Sequence, residues 1–214
     1  MTALRIITRA IDKITGFFGL VAQWSTLILV LLTAEQVVAR YLFKSSSIGL
    51  QELEWHLFGI IFLLAAANAQ QVDGHVRVDI FYGRMGPRAK AWVNVLGVLL
   101  AMMPMCGLIA WYGVAFTRQA MVFDNPHPVD FITSGLAGPG SFLYGLLAPV
   151  EAFFRQTLLV GEISPDPGGL EARWLIRAAI PLAAVLLLLQ AVAMAIRNIC
   201  IIARVELEPA PETS

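Results

Sequence analysis

Four apolar runs without a formal charge stand out along the chain: Ile14–Ala34, Leu57–Val72, Ala91–Thr117 and Ala178–Ile196. A bilayer span takes about 20 apolar residues, with a working range of about 17–25. The first, third and fourth stretches meet that length directly. The second meets it if its helix starts earlier, near Leu50 or Leu53. A lipid-exposed backbone must satisfy its own hydrogen bonds, so each stretch is predicted to be helical. The pattern gives an all-α membrane protein with four transmembrane helices, at about 14–40, 50–72, 91–118 and 174–202, in one domain over 1–204. The polar, Pro-rich end "VELEPAPETS", 205–214, is expected to be a disordered cytoplasmic tail.

Two segments lie outside this pattern. Ahead of the first span, Leu4, Ile7, Ile11 and Ile14 recur at helical spacing, with Arg5, Arg9 and Asp12 elsewhere on the wheel. That predicts an amphipathic N-terminal segment on the membrane, or simply the start of the first span. The basic residues here resemble the head of a cleaved leader. The apolar run that follows is longer than the roughly 7–15 residues of a leader's apolar core. Between the third and fourth spans, Phe131–Val150 is uncharged but rich in Gly and Pro. A fifth span would need an unbroken helix, so an interfacial or re-entrant excursion is expected instead. Just after it, Glu151 and Arg155 stand four apart, and Phe153, Phe154 and Leu158 are available to a membrane surface.

Composition supports the same medium. The chain is 58% hydrophobic and 14% charged, against about a quarter charged in a typical soluble domain. The formal charge is zero, and a nucleic-acid partner would need a basic surface. Lys and Arg set the orientation. The N-terminus (Arg5, Arg9, Lys13), the loop after span two (Arg77, Arg84, Arg88, Lys90) and the end of the chain (Arg197, Arg204) hold them more densely than the other side does. Both termini are therefore expected in the cytoplasm. The two cysteines, Cys106 and Cys200, lie far apart in apolar surroundings and read as small buried hydrophobes.

Candidate chemistry is sparse. "QQVDGHVRVD", 70–79, crowds Asp73, His75, Arg77 and Asp79 onto alternate positions. A metal site needs three or four ligands, and Arg77 among them repels a cation. The favoured reading is a charge-satisfied loop that docks a neighbouring helix or subunit. In "SSSIGLQELEWHLFG", 45–59, Ser45–Ser47 offer a helix cap, and Glu52 and Glu54 follow near the helix N-terminus, where carboxylates are favourable. Trp55 and His56 sit at interfacial depth, and a polar contact to a partner subunit competes with the purely structural account. Inside the spans, Glu35 is placed to pair with Arg118, and Asn68 with Asn94, as contacts between helices. That is too thin a set for a transport path of its own. A b-type cytochrome subunit, which would need histidines within spans, and an independent membrane scaffold or carrier are the alternatives.

Residues 50–90, "LQELEWHLFGIIFLLAAANAQQVDGHVRVDIFYGRMGPRAK", resemble the hallmark region of the small membrane subunit of TRAP transporters, the tripartite ATP-independent periplasmic carriers. The matching positions are Glu52, Glu54, Trp55, Gly74, His75, Arg77 and Asp79. Residues 161–190 resemble the lead-in and body of that family's fourth span. Within the family the chain is most similar to the mannitol/chloroaromatic subgroup. The segment from about Asn125 to Val160 departs from the pattern by its length. The resemblance implies four transmembrane helices and a non-catalytic small permease subunit of the bacterial inner membrane. It implies a large elevator-type partner that carries the sodium and substrate sites, and a periplasmic binding protein that delivers an organic anion. It implies no catalytic, cofactor or metal site in this chain, and family-pattern residues that are structural or at a subunit interface.

Overall fold

A computed structural model of the chain describes residues 2–72, 82–123, 127, 130–138 and 140–204. Regular secondary structure among them is helical. Helix α1 covers Thr2–Leu42 and α2 Ile48–Gln71. Helix α3, Pro87–Gly97, passes through a π-helical turn at Val98–Met102 into α4, Met103–Met121. The short α5, Phe131–Leu136, and the amphipathic α6, Phe142–Thr157, lie in the long connection before α7, Trp174–Ile202. Four helical stretches are long and apolar enough to cross a membrane: Ala3–Leu42, Ile48–Gln71, Pro87–Met121 and Trp174–Ile202. The chain is thus an all-α, multi-pass membrane protein.

The N-terminal segment is the start of α1 rather than a separate surface helix. Neither proline nor a turn signal interrupts Leu4 to Ile14, so nothing ends the helix there. Its buried stripe is Thr8, Ile11, Thr15 and Ala22, whereas Ile7 and Ile14 point outward. Where a fifth span would have to be unbroken, Ala137–Ser141 separates α5 from α6. The π turn sits next to Pro104. Proline has no N–H for the carbonyl four residues back, and the wider turn lets Met103 N–H reach the carbonyl of Val98.

The chain divides into two compact units. Unit 1 takes Met1–Ile28, Gly59–Tyr112 and Ala179–Ser214. Its core joins Ala22 of α1, Leu64 and Ala67 of α2 and Leu186 of α7. A second cluster joins Val98 with Ala191 and Ala195. Alanine recurs at buried positions of α7 (Ala179, Ala183, Ala184, Ala191, Ala193, Ala195), which lets neighbouring backbones approach closely. Gly19 serves the same end on α1, since a Cβ there would sit 2.7 Å from Cγ of Asn68. Unit 2 takes Leu29–Phe58 and Gly113–Ala178. It collects the ends of the spans that border the first and third connections, and it contains α5 and α6.

Candidate functional site

In unit 1 the polar residues of the spans are joined helix to helix. Thr15 Oγ1 of α1 donates to Gln71 Oε1 of α2 at 3.0 Å. Gln70 Nε2 reaches the Met102 sulfur in the π turn at 2.9 Å. Asn94 Nδ2 of α3 donates to Asn198 Oδ1 of α7 at 3.1 Å, and Tyr82 Oη donates to Asn94 Oδ1 at 3.1 Å. Arg197 of α7 pairs with Asp12 of α1, and Gln190 Nε2 approaches the same carboxylate at 3.4 Å. Every span therefore holds at least one other through a polar bond.

Asn68 and Asn94 thus act between helices, but not on each other. Asn94 takes Asn198, and Asn68 packs on Gly19. Spacing along one helix sets the direction of a side chain, not which neighbour stands there. In the sequence Asp12 belongs to the amphipathic N-terminal segment and Arg197 to the basic residues that set orientation, and nothing local pairs them. A lone acid just ahead of a span and a lone base near the end of another are the signal that was available.

Unit 2 is organised around Glu52. The residue lies in the second turn of α2, which Ser47 opens by accepting from Leu50 N at 3.4 Å. One carboxylate oxygen of Glu52 takes the Ser164 hydroxyl and the other takes the Leu170 N–H at 2.7 Å. The loop 164–170 is wrapped on that carboxylate and closed by Ser164 N to Leu170 O at 2.9 Å. Gly169 is required because a Cβ there would overlap Ser164 and come within 2.9 Å of Glu52 Oε2. At the loop's entry, Glu162 N donates to Ala120 O in the last turn of α4 at 2.8 Å. Gly161 has φ +80°, and any Cβ would strike that same carbonyl. Glu162 then pairs with Arg177 of α7, whose guanidinium covers the Phe116 ring at 4.2 Å. Residues 161–173 therefore tie together the ends of α2, α4 and α7.

Beside this clasp lies an open cavity of about 320 Å³, bordered by Glu52, Trp55, His56, Asp166 and Arg173. Both Glu52 oxygens are engaged as acceptors, so the carboxylate is a structural anchor rather than a free base. His56 Nδ1 lies 2.6 Å from the Glu52 carbonyl. Trp55 beside it faces outward, 79% exposed, whereas Glu54 Oε1 is buried with no hydrogen-bond partner among the described residues. Gln36, 5% exposed, has an unpartnered Oε1 as well, while its Nε2 donates to Glu35 Oε2 at 3.2 Å. Arg118 is exposed in the last turn of α4, and no ion pair joins it to Glu35 among the described residues. Gly74, His75, Arg77 and Asp79 lie outside the described residues.

A second clasp in unit 2 holds α5 against α6. Glu151 accepts from Ile132 N at 2.8 Å, from Thr133 N at 2.7 Å and from the Thr133 hydroxyl at 2.6 Å, which satisfies the first turn of α5. Arg155 donates to Glu151 from Nε at 2.7 Å and to Glu171 from Nη1 at 2.9 Å. Burial pushes the Glu151 carboxyl up, but the bonds from Thr133, Arg155 and the Ile132 amide outweigh it and hold the group at about 2. Burial likewise works against the Arg155 charge, and Glu151 and Glu171 overcome it, so its pKa is raised. Tyr144 Oη donates to Asp130 at 2.6 Å, and that bond raises the tyrosine above its usual range. Among the described residues no group of three or more His, Cys, Asp or Glu side chains is arranged to hold a metal ion. Cys106 and Cys200 are both buried and free.

The family model of the DctQ component of tripartite ATP-independent periplasmic transporters matches residues 29–157. This chain belongs to the DctQ family. It is therefore the small membrane subunit of a TRAP transporter. No curated protein matches it. The family match contains Glu52, Glu54 and Trp55, as well as α5 and α6, and stops short of the loop that wraps Glu52. In this DctQ chain the anchor lies within the matched stretch, and the segment it holds lies beyond it.

Proposed function

We propose that the chain braces the immobile scaffold of a large, elevator-type membrane subunit and performs no catalysis of its own. The large subunit holds the sodium and substrate sites, and a periplasmic binding protein delivers an organic anion to it. The chain sits in the bacterial inner membrane with both termini in the cytoplasm, the side on which its Lys and Arg are denser. The observation that carries this reading is the DctQ match over 29–157.

Two features support it. A carrier domain moves across a bilayer only relative to something held still, and a brace needs internal stiffness. The polar groups of the spans in unit 1 supply that by bonding one helix to another. A brace also needs an outward face for its partner. Trp55, 79% exposed near the N-terminal end of α2, suits a partner that brings an apolar surface. Purification in mild detergent is expected to bring a large multi-span protein along with this chain. Trp55→Ala should weaken that association without changing the helix content. Liposomes containing this chain alone should show no solute uptake, and uptake by them would overturn the proposal.

A further inference from the structure

Helix α6 has an unusual division of its surface. At about 100° per residue, Phe142, Leu143, Leu146, Leu147, Val150, Phe153 and Phe154 fall in one arc. All are exposed, Phe142 at 85% and Phe153 at 62%. The charged residues of the helix, Glu151 and Arg155, point the other way and are bonded to Thr133 and Glu171. Tyr144, on that same side, is bonded to Asp130. In a water-facing helix the charges would point out and the apolar stripe in. Here the protein holds the charges and leaves the stripe bare.

The bilayer is the surface at hand. The connection that contains α6 leaves the membrane at the end of α4 and re-enters at the start of α7, so both its ends lie on one membrane face. Leu158, the residue after α6, accepts from the indole N–H of Trp174, the first residue of α7, at 3.0 Å. Glu162, four residues on, is bonded to the last turn of α4. The C-terminal end of α6 is thus fixed at the level where two spans meet the surface. With 16 residues the helix is about 24 Å long, too short to cross. Its exposed arc carries aromatic and aliphatic side chains, with Thr157 at its C-terminal end bonding its hydroxyl back to the Phe153 carbonyl, and no charge, which matches the headgroup–acyl boundary rather than water.

We propose that α6 lies in the plane of the membrane, on the face opposite the N-terminus, with the arc Phe142–Leu146–Val150–Phe153 sunk into the lipid and the Glu151–Arg155–Glu171 clasp turned to the protein. This assignment depends on the four spans alone and stands whether or not the chain braces a larger subunit.

Single cysteines at Leu146, Val150 and Phe153, with a control at the exposed Gln156, would carry nitroxide labels in the full chain. The chain would be reconstituted in phosphatidylethanolamine–phosphatidylglycerol vesicles. Labels at the three arc positions should relax strongly with oxygen and weakly with a water-soluble nickel chelate, and the control should do the reverse. Equal chelate access at arc and control positions would overturn the assignment. So would arc labels shielded from both reagents, which would mean that a second copy or another protein covers the face. Leu146→Asp provides an independent arm. It should raise chelate access at a Phe153 label at least severalfold while the spans stay helical. No change there would also count against the lipid assignment.

Discussion

Replacing Glu52 by alanine removes the anchor of the loop 164–170 and leaves that loop's own hydrogen bonds in place. Two bonds to a carboxylate are lost, one from the Ser164 hydroxyl and one from Leu170 N–H. A hydrogen bond to a charged group contributes about 1.5–3 kcal/mol net. The open cavity beside Glu52 allows water to replace the carboxylate for both donors, so the lower end applies, about 3 kcal/mol for the pair. Gly169 offers no side chain to fill the gap. At 1.4 kcal/mol per factor of ten, the Leu170 amide should exchange with solvent about 100 times faster in Glu52→Ala. Glu52→Gln keeps one neutral acceptor, so its effect should be nearer tenfold. Hydrogen–deuterium exchange in detergent would read this from peptides spanning 164–173, with peptides over 185–195 of α7 as the unaffected reference. The reasoning fails if Glu52→Ala keeps its helix content and its elution volume while the Leu170 amide exchanges as in the parent chain.

Glu151 makes the α5–α6 clasp resistant to acid. Its folded pKa of about 2 lies below the ordinary 4.5, so its contribution is fully present above pH 4.5 and is lost as pH falls toward 2. Exchange of the Ile132 and Thr133 amides, corrected for intrinsic rates, should stay flat from pH 7 to about pH 4 and rise below that, whereas Glu151→Gln should be open throughout. Gly161→Ala should lower the melting temperature in detergent, because a left-handed residue there costs about 1–3 kcal/mol and the clash is with the α4 backbone, which cannot swing aside. Asp12→Arg and Arg197→Asp should each destabilise the chain, and the double exchange should recover at least half of the loss in melting temperature; additive losses would mean that the pair contributes nothing. Gly19→Leu should disrupt α1 against α2 more than Gly19→Ala, and Asn68→Ala should relieve the alanine variant, as a double-mutant cycle on thermal unfolding would show.

The four spans were legible in the sequence because lipid imposes one requirement on every residue of a span, and a charge-free run records it locally. The Ser47 cap and the Glu151–Arg155 pair were legible for the same reason, as both are relations between residues three or four apart. The partners of Glu52 were not. Ser164 and Leu170 lie more than a hundred residues downstream, in a loop with no periodicity, and neither type marks itself as a ligand of a carboxylate. Asn94 illustrates the intermediate case. Its role between helices follows from a polar side chain in an apolar span, but choosing Asn198 over Asn68 depends on how each helix is turned about its own axis. The continuous α1 shows the limit of the amphipathic pattern, since of Leu4, Ile7, Ile11 and Ile14 only Ile11 is buried.

Where the ionisable side chains of unit 2 point bears on what the chain does. Glu52, Glu151, Arg155, Glu162 and Arg177 are each bonded to another element of the same unit. They are used up in holding the ends of α2, α4 and α7 to residues 161–173, and α5 to α6. A substrate path would need polar groups left open to a passing solute, lined up through the spans. In this chain most such groups answer to neighbouring helices, and the buried oxygens without a hydrogen-bond partner among the described residues, on Gln36, Glu54, Gln70 and Gln190, are closed off from a passing solute. Polar groups engaged between helices or buried in the chain fit a structural role better than conduction. On this view, disabling the clasp at Glu52 should impair assembly before it alters any property of the transported solute.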